Sequence, residues 1–260
     1  MSIPYYQVDA FTGTLFAGNP AGVAILMEWL TDDVMQAIAA ENNLAETAFV
    51  VPRGASVDLR WFTPEMEMDL CGHATLAAAH VLFEHLGYRK VSIEFQTRSG
   101  MLPVTRSENL LTLDFPSRPA AACDVPEALA EGLGARPLEV YKSRDFLAVF
   151  ESESEIRELR PRMDALSKLD CLGIIATAPG YSCDFVSRFF APAAGVPEDP
   201  VTGSAHCTLI PYWSRRLKRS QLHALQVSKR GGELFCSERG ERVAISGRAV
   251  TYSTGFLHVG

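Results

Sequence analysis

The sequence predicts an α+β protein of two pseudo-symmetric lobes, each a curled, mixed β-sheet wrapped around one apolar helix. Three observations carry that prediction. An unusual phrase is written twice, as "RWFTPEMEMDLCGHAT" from Arg60 and as "RFFAPAAGVPEDPVTGSAH" from Arg188. In both copies an Arg, an aromatic and a Phe lead through a Pro to a Gly that opens an apolar, helix-like run. A third segment matches further on, "FQTRSGMLP" against "VSKRGGELF", at nearly the same distance: 26 positions from Gly72 to Arg98 and 27 from Gly203 to Arg230. Ordered matches at preserved spacing indicate an internal duplication, and two copies do not make a solenoid.

Taken along the chain, Tyr5–Phe11 and Gly22–Leu26 read as strands joined by the turn-rich "TGTLFAGNPA". "TDDVMQAIAAENN" reads as a helix, with Thr31 as N-cap, acids in the first turn and apolar spacing at Val34, Ile38 and Ala39. Strands follow at Glu46–Pro52 and Val57–Phe62. "GHATLAAAHVLFEHLG" is a strong helix, Ala-rich and stopped by Gly87, and so apolar that it belongs inside something. Val91–Thr97, Met101–Thr105 and Leu110–Phe115 complete the first set of strands. The second half repeats the order: the helix-rich "SEIRELRPRMDALSKL", the strand "CLGIIATAP", then "DFVSRFFAP" against "DLRWFTP". The expected lobes are 1–117 and 118–249, with a C-terminal strand at about 250–260 returning to the first.

Composition bounds the function. With 260 residues, 47% hydrophobic and 21% charged, the chain is an ordinary globular protein with enough length for a substantial core. The net charge of −7 and the lack of basic runs argue against nucleic acid and anionic membrane as partners. "RRLKR" at Arg215–Arg219 lies near a helix end, where positive charge suits the dipole. No apolar run is long enough to span a bilayer and the first residues have no secretory pattern, so a cytoplasmic protein is expected. The six cysteines are scattered, without CxxC or zinc spacing, and the histidines form no metal-ligand pattern. Phosphate-loop, dinucleotide and Gly-x-Ser-x-Gly motifs are absent, so neither metal nor organic cofactor is expected.

Two helix N-termini facing one cleft make a site for an anion, most simply a carboxylate, because their N–H groups are unpaired and their dipole ends positive. Gly72 and Gly203 would let backbone approach the ligand closely; the plainer reading is tight turns before buried helices. Chemistry on a chiral substrate needs groups that break the symmetry. The first half supplies Glu46, where the second has Leu172, Gly173 or Ile174, none titratable. His73 stands against Ser204, and only the second half carries Asp199. Each has a bland alternative: Glu46 as a strand-end surface residue, His73 as a neutral helix cap, Asp199 as the anchor of the "EDPVTG" turn. Cys71 reads as a buried small hydrophobe rather than a nucleophile, and its counterpart Thr202 excludes a two-thiol mechanism.

The segments "VDAFTGTLFAGNPAGVAI", "LAETAFV", "FTPEMEMDLCGHATLAAAHVL" and "DPVTGSAH" together resemble the phenazine-biosynthesis isomerase-like family, which shares its fold with diaminopimelate epimerase and proline racemase. The resemblance spans nearly the whole chain. It implies a cofactor-independent isomerase, usually a homodimer, that shifts a proton on a small carboxylate-bearing metabolite in the inter-lobe cleft. It places the family's acid/base glutamate on Glu46, the helix-start pair on Gly72 and His73, and the supporting aspartate on Asp199. The second helix start falls on Gly203 and Ser204, and Asn19 lies near the ligand. Ala45 departs from the serine common before that glutamate, and Thr202 from the second thiol of the epimerases. The alternatives on the same scaffold are a one-base racemase or dehydratase and a non-catalytic small-molecule binder.

Overall fold

The computed structural model describes residues 1–54 and 56–260. It is an α+β protein with a large mixed sheet. The chain divides into two compact units, Met1–Asp114 with Ser246–Gly260, and Phe115–Ile245.

The first unit runs β1 (Ser2–Ala10), β2 (Asn19–Ile25), α1 (Asp32–Asn42), β3 (Glu46–Arg53), β4 (Ser56–Phe62), β5 (Glu67–Met68), α2 (Gly72–Glu84), β6 (Ser92–Thr97), β7 (Gly100–Ser107) and β8 (Leu110–Pro116). The second runs β9 (Ala121–Cys123), α3 (Glu127–Leu133), β10 (Glu139–Lys142), β11 (Phe146–Val149), α4 (Glu153–Glu158), α5 (Met163–Leu166), β12 (Ile174–Pro179), β13 (Phe185–Ala191), β14 (Val196–Asp199), α6 (Gly203–Leu217), β15 (Gln221–Gln226), β16 (Gly232–Arg239) and β17 (Arg242–Gly247). The last strand, β18 (Ala249–His258), pairs antiparallel with β1 of the first unit.

The pairing pattern repeats strand for strand. In the first unit β1–β2 is antiparallel, β2–β3 parallel, β3–β4 antiparallel, β4–β5 antiparallel, β4–β6 parallel and β6–β7 antiparallel. In the second the same sequence of senses runs through β10–β11, β11–β12, β12–β13, β13–β14, β13–β15 and β15–β16. Duplication is therefore present in the topology as well as in the wording. The parallel steps need crossovers, and each unit fills them with helices in the same places.

α2 is buried at all of its 13 residues except His80 and Glu84, and lies against β1, β2, β3 and β18. Its Leu76, Val81, Leu82 and Phe83 each remove a whole apolar side chain from water, worth about 1.5–3 kcal/mol apiece. Three consecutive alanines, Ala77–Ala79, let strands approach closely on every side. α6 carries Pro211 in its interior, which removes a donor for the Cys207 carbonyl; the Arg118 backbone N–H fills that place at 2.9 Å. Outer helices cover each sheet's other face: α1 with Met35 and Ala39 over Phe49 and Phe62, and α3, α4 and α5 with Leu129, Ile156 and Leu166 over Ile174 and Phe190.

The repeated phrase has a structural cause. Arg60 grips Glu67 with two parallel bonds of 2.6 and 2.7 Å, and Arg188 grips Glu198 in the same way at 2.7 and 2.9 Å. Each guanidinium also lies over the Phe two residues on, Phe62 or Phe190. A fork-to-fork pair of this kind fixes position as well as distance, so it clamps the short strand that feeds each central helix. Past the clamp, the fourth residue of each helix bonds back to the carbonyl just before it, Thr75 to Cys71 and His206 to Thr202.

Two local details refine the sequence expectation. The helix-rich stretch before β12 breaks between α4 and α5, because Pro161 disfavours helical backbone in the residue before it. Thr31 occupies the N-cap of α1, but its side chain makes no capping bond.

Candidate active site

Glu46 opens β3, and the parallel register sets it beside Ala21 of β2. Its side chain is 15% exposed, and its Oε2 lies 3.0 Å from Nε2 of His73. His73 is the second residue of α2 and is buried. On the far edge of the imidazole, Asn19 Nδ2 stands 3.2 Å and Cys71 Sγ 3.6 Å from Nδ1. Asn19, fully buried, is the first residue of β2. Thus Glu46, His73, Asn19 and Gly72 come together at the start of α2. That helix start has no side-chain cap and no acid in its first turn, so its N–H groups have no partner from a cap.

Burial alone would hold the His73 imidazole neutral. The Cys71 sulfur and the Glu46 carboxylate on either side outweigh it and hold His73 well above the usual histidine range. The Cys71 thiol is pushed up, first by burial and then by the Glu46 carboxylate. Asn19 serves either state of the ring: its NH₂ donates to a bare Nδ1, and the turned amide accepts from a protonated one. Cys71 is buried, as the sequence reading has it, but it also touches His73, which that reading omits.

Asp199, Gly203 and Ser204 form a group of their own in the second unit. Asp199 ends β14 and its Oδ2 accepts from the Thr202 hydroxyl at 2.5 Å. Gln226, fully buried, locks this turn: its Nε2 donates to the Asp199 carbonyl and its Oε1 accepts from the Thr202 N–H, both at 2.8 Å. Sequence reasoning passed over Gln226. The signal was the alternation in β15, where Leu222, Ala224 and Gln226 share the inward face. Ser204 sits at the uncapped start of α6, 3.2 Å from a guanidinium nitrogen of Arg144, a residue also missed.

Register resolves which residue of the second unit stands where Glu46 stands in the first. β3 pairs Ala48 with Trp61, and β12 pairs Ile175 with Phe189, the residue that matches Trp61 in the repeated phrase. Two positions back from each lie Glu46 and Gly173. A Cβ at Gly173 would meet the Phe189 ring 2.2 Å away, so the ring occupies the space a side chain would need.

One group could hold a metal ion: Glu46, Cys71 and His73 offer one ligand atom each, all within 4.8 Å of one another. It is the one such group among the described residues. Among those residues, no helix is long and apolar enough to cross a membrane.

Comparison with known proteins gives the family. The family model for phenazine biosynthesis-like proteins (PhzC-PhzF) matches residues 8–255. An uncharacterized isomerase of Pseudomonas aeruginosa is 52% identical over 260 residues, with 100% of both chains covered. The crystal structure of a PhzF-family phenazine biosynthesis protein from Enterococcus faecalis is similar at a TM-score of 0.98 and 47% identity, again over 100% of both chains. A hydroxyproline epimerase from Agrobacterium vitis, at 10% identity and a TM-score of 0.65 over 98% of this chain and 92% of that one, shares the fold alone. The chain belongs to the PhzC-PhzF phenazine biosynthesis-like family, and it is an isomerase.

Proposed function

We propose that the protein moves a proton within a small carboxylate-bearing metabolite, with Glu46 as the single acid/base and neither metal nor organic cofactor taking part. The observation that carries this reading is the Glu46–His73 contact at the uncapped start of α2, combined with Gly173 as the counterpart of Glu46. The N–H groups at Gly72 and His73 hold the substrate carboxylate and stabilise the negative charge that builds on it. Glu46 takes a proton from carbon, and the C–H electron pair moves into the system conjugated with the carboxylate. The same oxygen then returns the proton to another carbon on the same face, so the substrate is neither oxidised nor reduced. His73 keeps Glu46 aimed, and Asn19 keeps His73 aimed.

Solvent exchange tests this reading. The enzyme is incubated in D₂O with a panel of cyclic and amino carboxylates, and deuterium at carbon is read by NMR. Incorporation into at least one compound is expected. A panel in which compounds bind yet none takes up deuterium would remove the proton-shift reading.

A further inference from the structure

The proton shift leaves one reactive group beside its base without a task. Cys71 Sγ lies 3.6 Å from Nδ1 of His73, and Glu46 Oε2 lies 3.0 Å from Nε2 of the same ring. A side chain that only filled space beside the ring would need no sulfur. Carboxylate, imidazole and thiol are each metal-ligating groups, and all three residues belong to the first unit. In the second unit Thr202 stands where Cys71 stands, and no comparable set forms among the described residues.

The Nε2 atom of His73 points to what the set can hold. It is buried and makes no hydrogen bond, although Glu46 Oε2 is only 3.0 Å away. A buried nitrogen left unbonded beside a carboxylate oxygen calls for a shared partner, and a cation bridges the two by taking the place of a ring proton. The spacing fits one. Zn²⁺ takes nitrogen and oxygen at about 2.0–2.2 Å and sulfur at about 2.3 Å in a tetrahedron, so its ligand atoms lie roughly 3.3–3.6 Å apart. One ligand atom from each of Glu46, Cys71 and His73 lies within 4.8 Å of the others, a gap that side-chain rotation closes.

The backbone behind these atoms is already fixed. Glu46 is held by its parallel register with Ala21, and the Cys71 carbonyl accepts from both the N–H and the hydroxyl of Thr75. Asn19, 3.2 Å from Nδ1, steadies the ring for an ion on Nε2. Glu46, 15% exposed, gives the ion its way in. One sulfur, one nitrogen and one carboxylate oxygen suit Zn²⁺ and disfavour Mg²⁺ and Ca²⁺, which call for oxygen throughout.

We propose that Glu46, Cys71 and His73 form a binding site for Zn²⁺. Ligation makes Zn–O, Zn–N and Zn–S bonds, and the protons carried by the ring nitrogen and the thiol leave to solvent. A filled site has no free carboxylate to take a proton from carbon, so the ion inhibits. That inhibition, unlike the binding, rests on the reading of Glu46 as the acid/base. Because the ion is an inhibitor and not a cofactor, stripping it costs no turnover.

Co²⁺, a coloured stand-in for Zn²⁺, tests the site on the reduced full-length protein. The parent should show a near-ultraviolet thiolate-to-cobalt absorption band that Zn²⁺ erases by displacement and Mg²⁺ does not. Cys71→Ser should abolish the band. Glu46→Gln should lower Zn²⁺ affinity, read by competition, about tenfold or more, no less than the loss of a ligand's hydrogen-bond partner costs. Zn²⁺ should also stop deuterium exchange in the parent, with recovery on chelation. No band in the parent, a band that survives in Cys71→Ser, or exchange undiminished at saturating Zn²⁺ overturns the proposal. The two readings fail separately. A band that behaves as expected, with no exchange in any compound, removes the proton shift and supports the ion site; exchange without a band removes the ion site alone.

Discussion

At His73 three influences meet, and their balance fixes a charge. Burial opposes the imidazolium, while the neighbouring sulfur and the Glu46 carboxylate favour it strongly enough to raise the ring well above its usual range. A histidine whose folded-state value lies above its unfolded one, near 6.5, stabilises the fold fully below about pH 6.5 and loses that contribution as pH rises through the folded value. The melting temperature of the parent should therefore exceed that of His73→Gln by more at pH 6 than at pH 9. A gap that is constant across that range would mean the ring is neutral in the fold. Glu46, His73 and Asp199 were singled out in the sequence because duplication shows where the halves differ; the structure sets Glu46 3.0 Å from His73 and Asp199 against Thr202 in the other unit. Gln226 and Arg144 were not: they act on other residues across the fold, and no local spacing announces a contact between residues 144 and 204 or between 226 and 202.

At the scale of the element, the strands and the central helices followed from periodicity and from the repeated phrase. What the phrase was for did not. Arg60 and Arg188 look like solvated strand charges until their forked pairs with Glu67 and Glu198 are seen. Those pairs explain why Arg, aromatic and Phe recur together, and they separate Glu198 of the "EDP" from Asp199 beside it: the first clamps β14, the second faces the turn before α6. The break between α4 and α5 was readable in Pro161, whose effect on its preceding residue outweighs the helical periodicity around it. β12 supplies a sharper check on the asymmetry. Gly173→Ala should strike the Phe189 ring and lower stability by about 1–3 kcal/mol, read from the urea midpoint. An unchanged midpoint would mean that the ring yields freely and that the second unit has room for a side chain where Glu46 stands in the first.

Across the whole molecule, two copies of one topology have kept their scaffolds and diverged in a few side chains. One copy holds a carboxylate, an imidazole and a thiol around an uncapped helix start, and the other holds a glycine at the matching strand position. The closeness of Glu46, Cys71 and His73 makes metal independence a claim worth testing, since the same atoms could ligate an ion. Exhaustive dialysis against a chelator should leave turnover intact; a loss restored by one metal would recast the three residues as ligands. The central claim is that a single carboxylate carries the proton. Its most direct test compares Glu46→Gln with Cys71→Ala in the rate of deuterium exchange on one substrate. Glu46→Gln should bind within several-fold of the parent and lose about a thousandfold or more in rate, around 4 kcal/mol of barrier, while Cys71→Ala retains most of its activity. Near-full exchange in Glu46→Gln together with its abolition in Cys71→Ala would contradict the account and make the thiol the base.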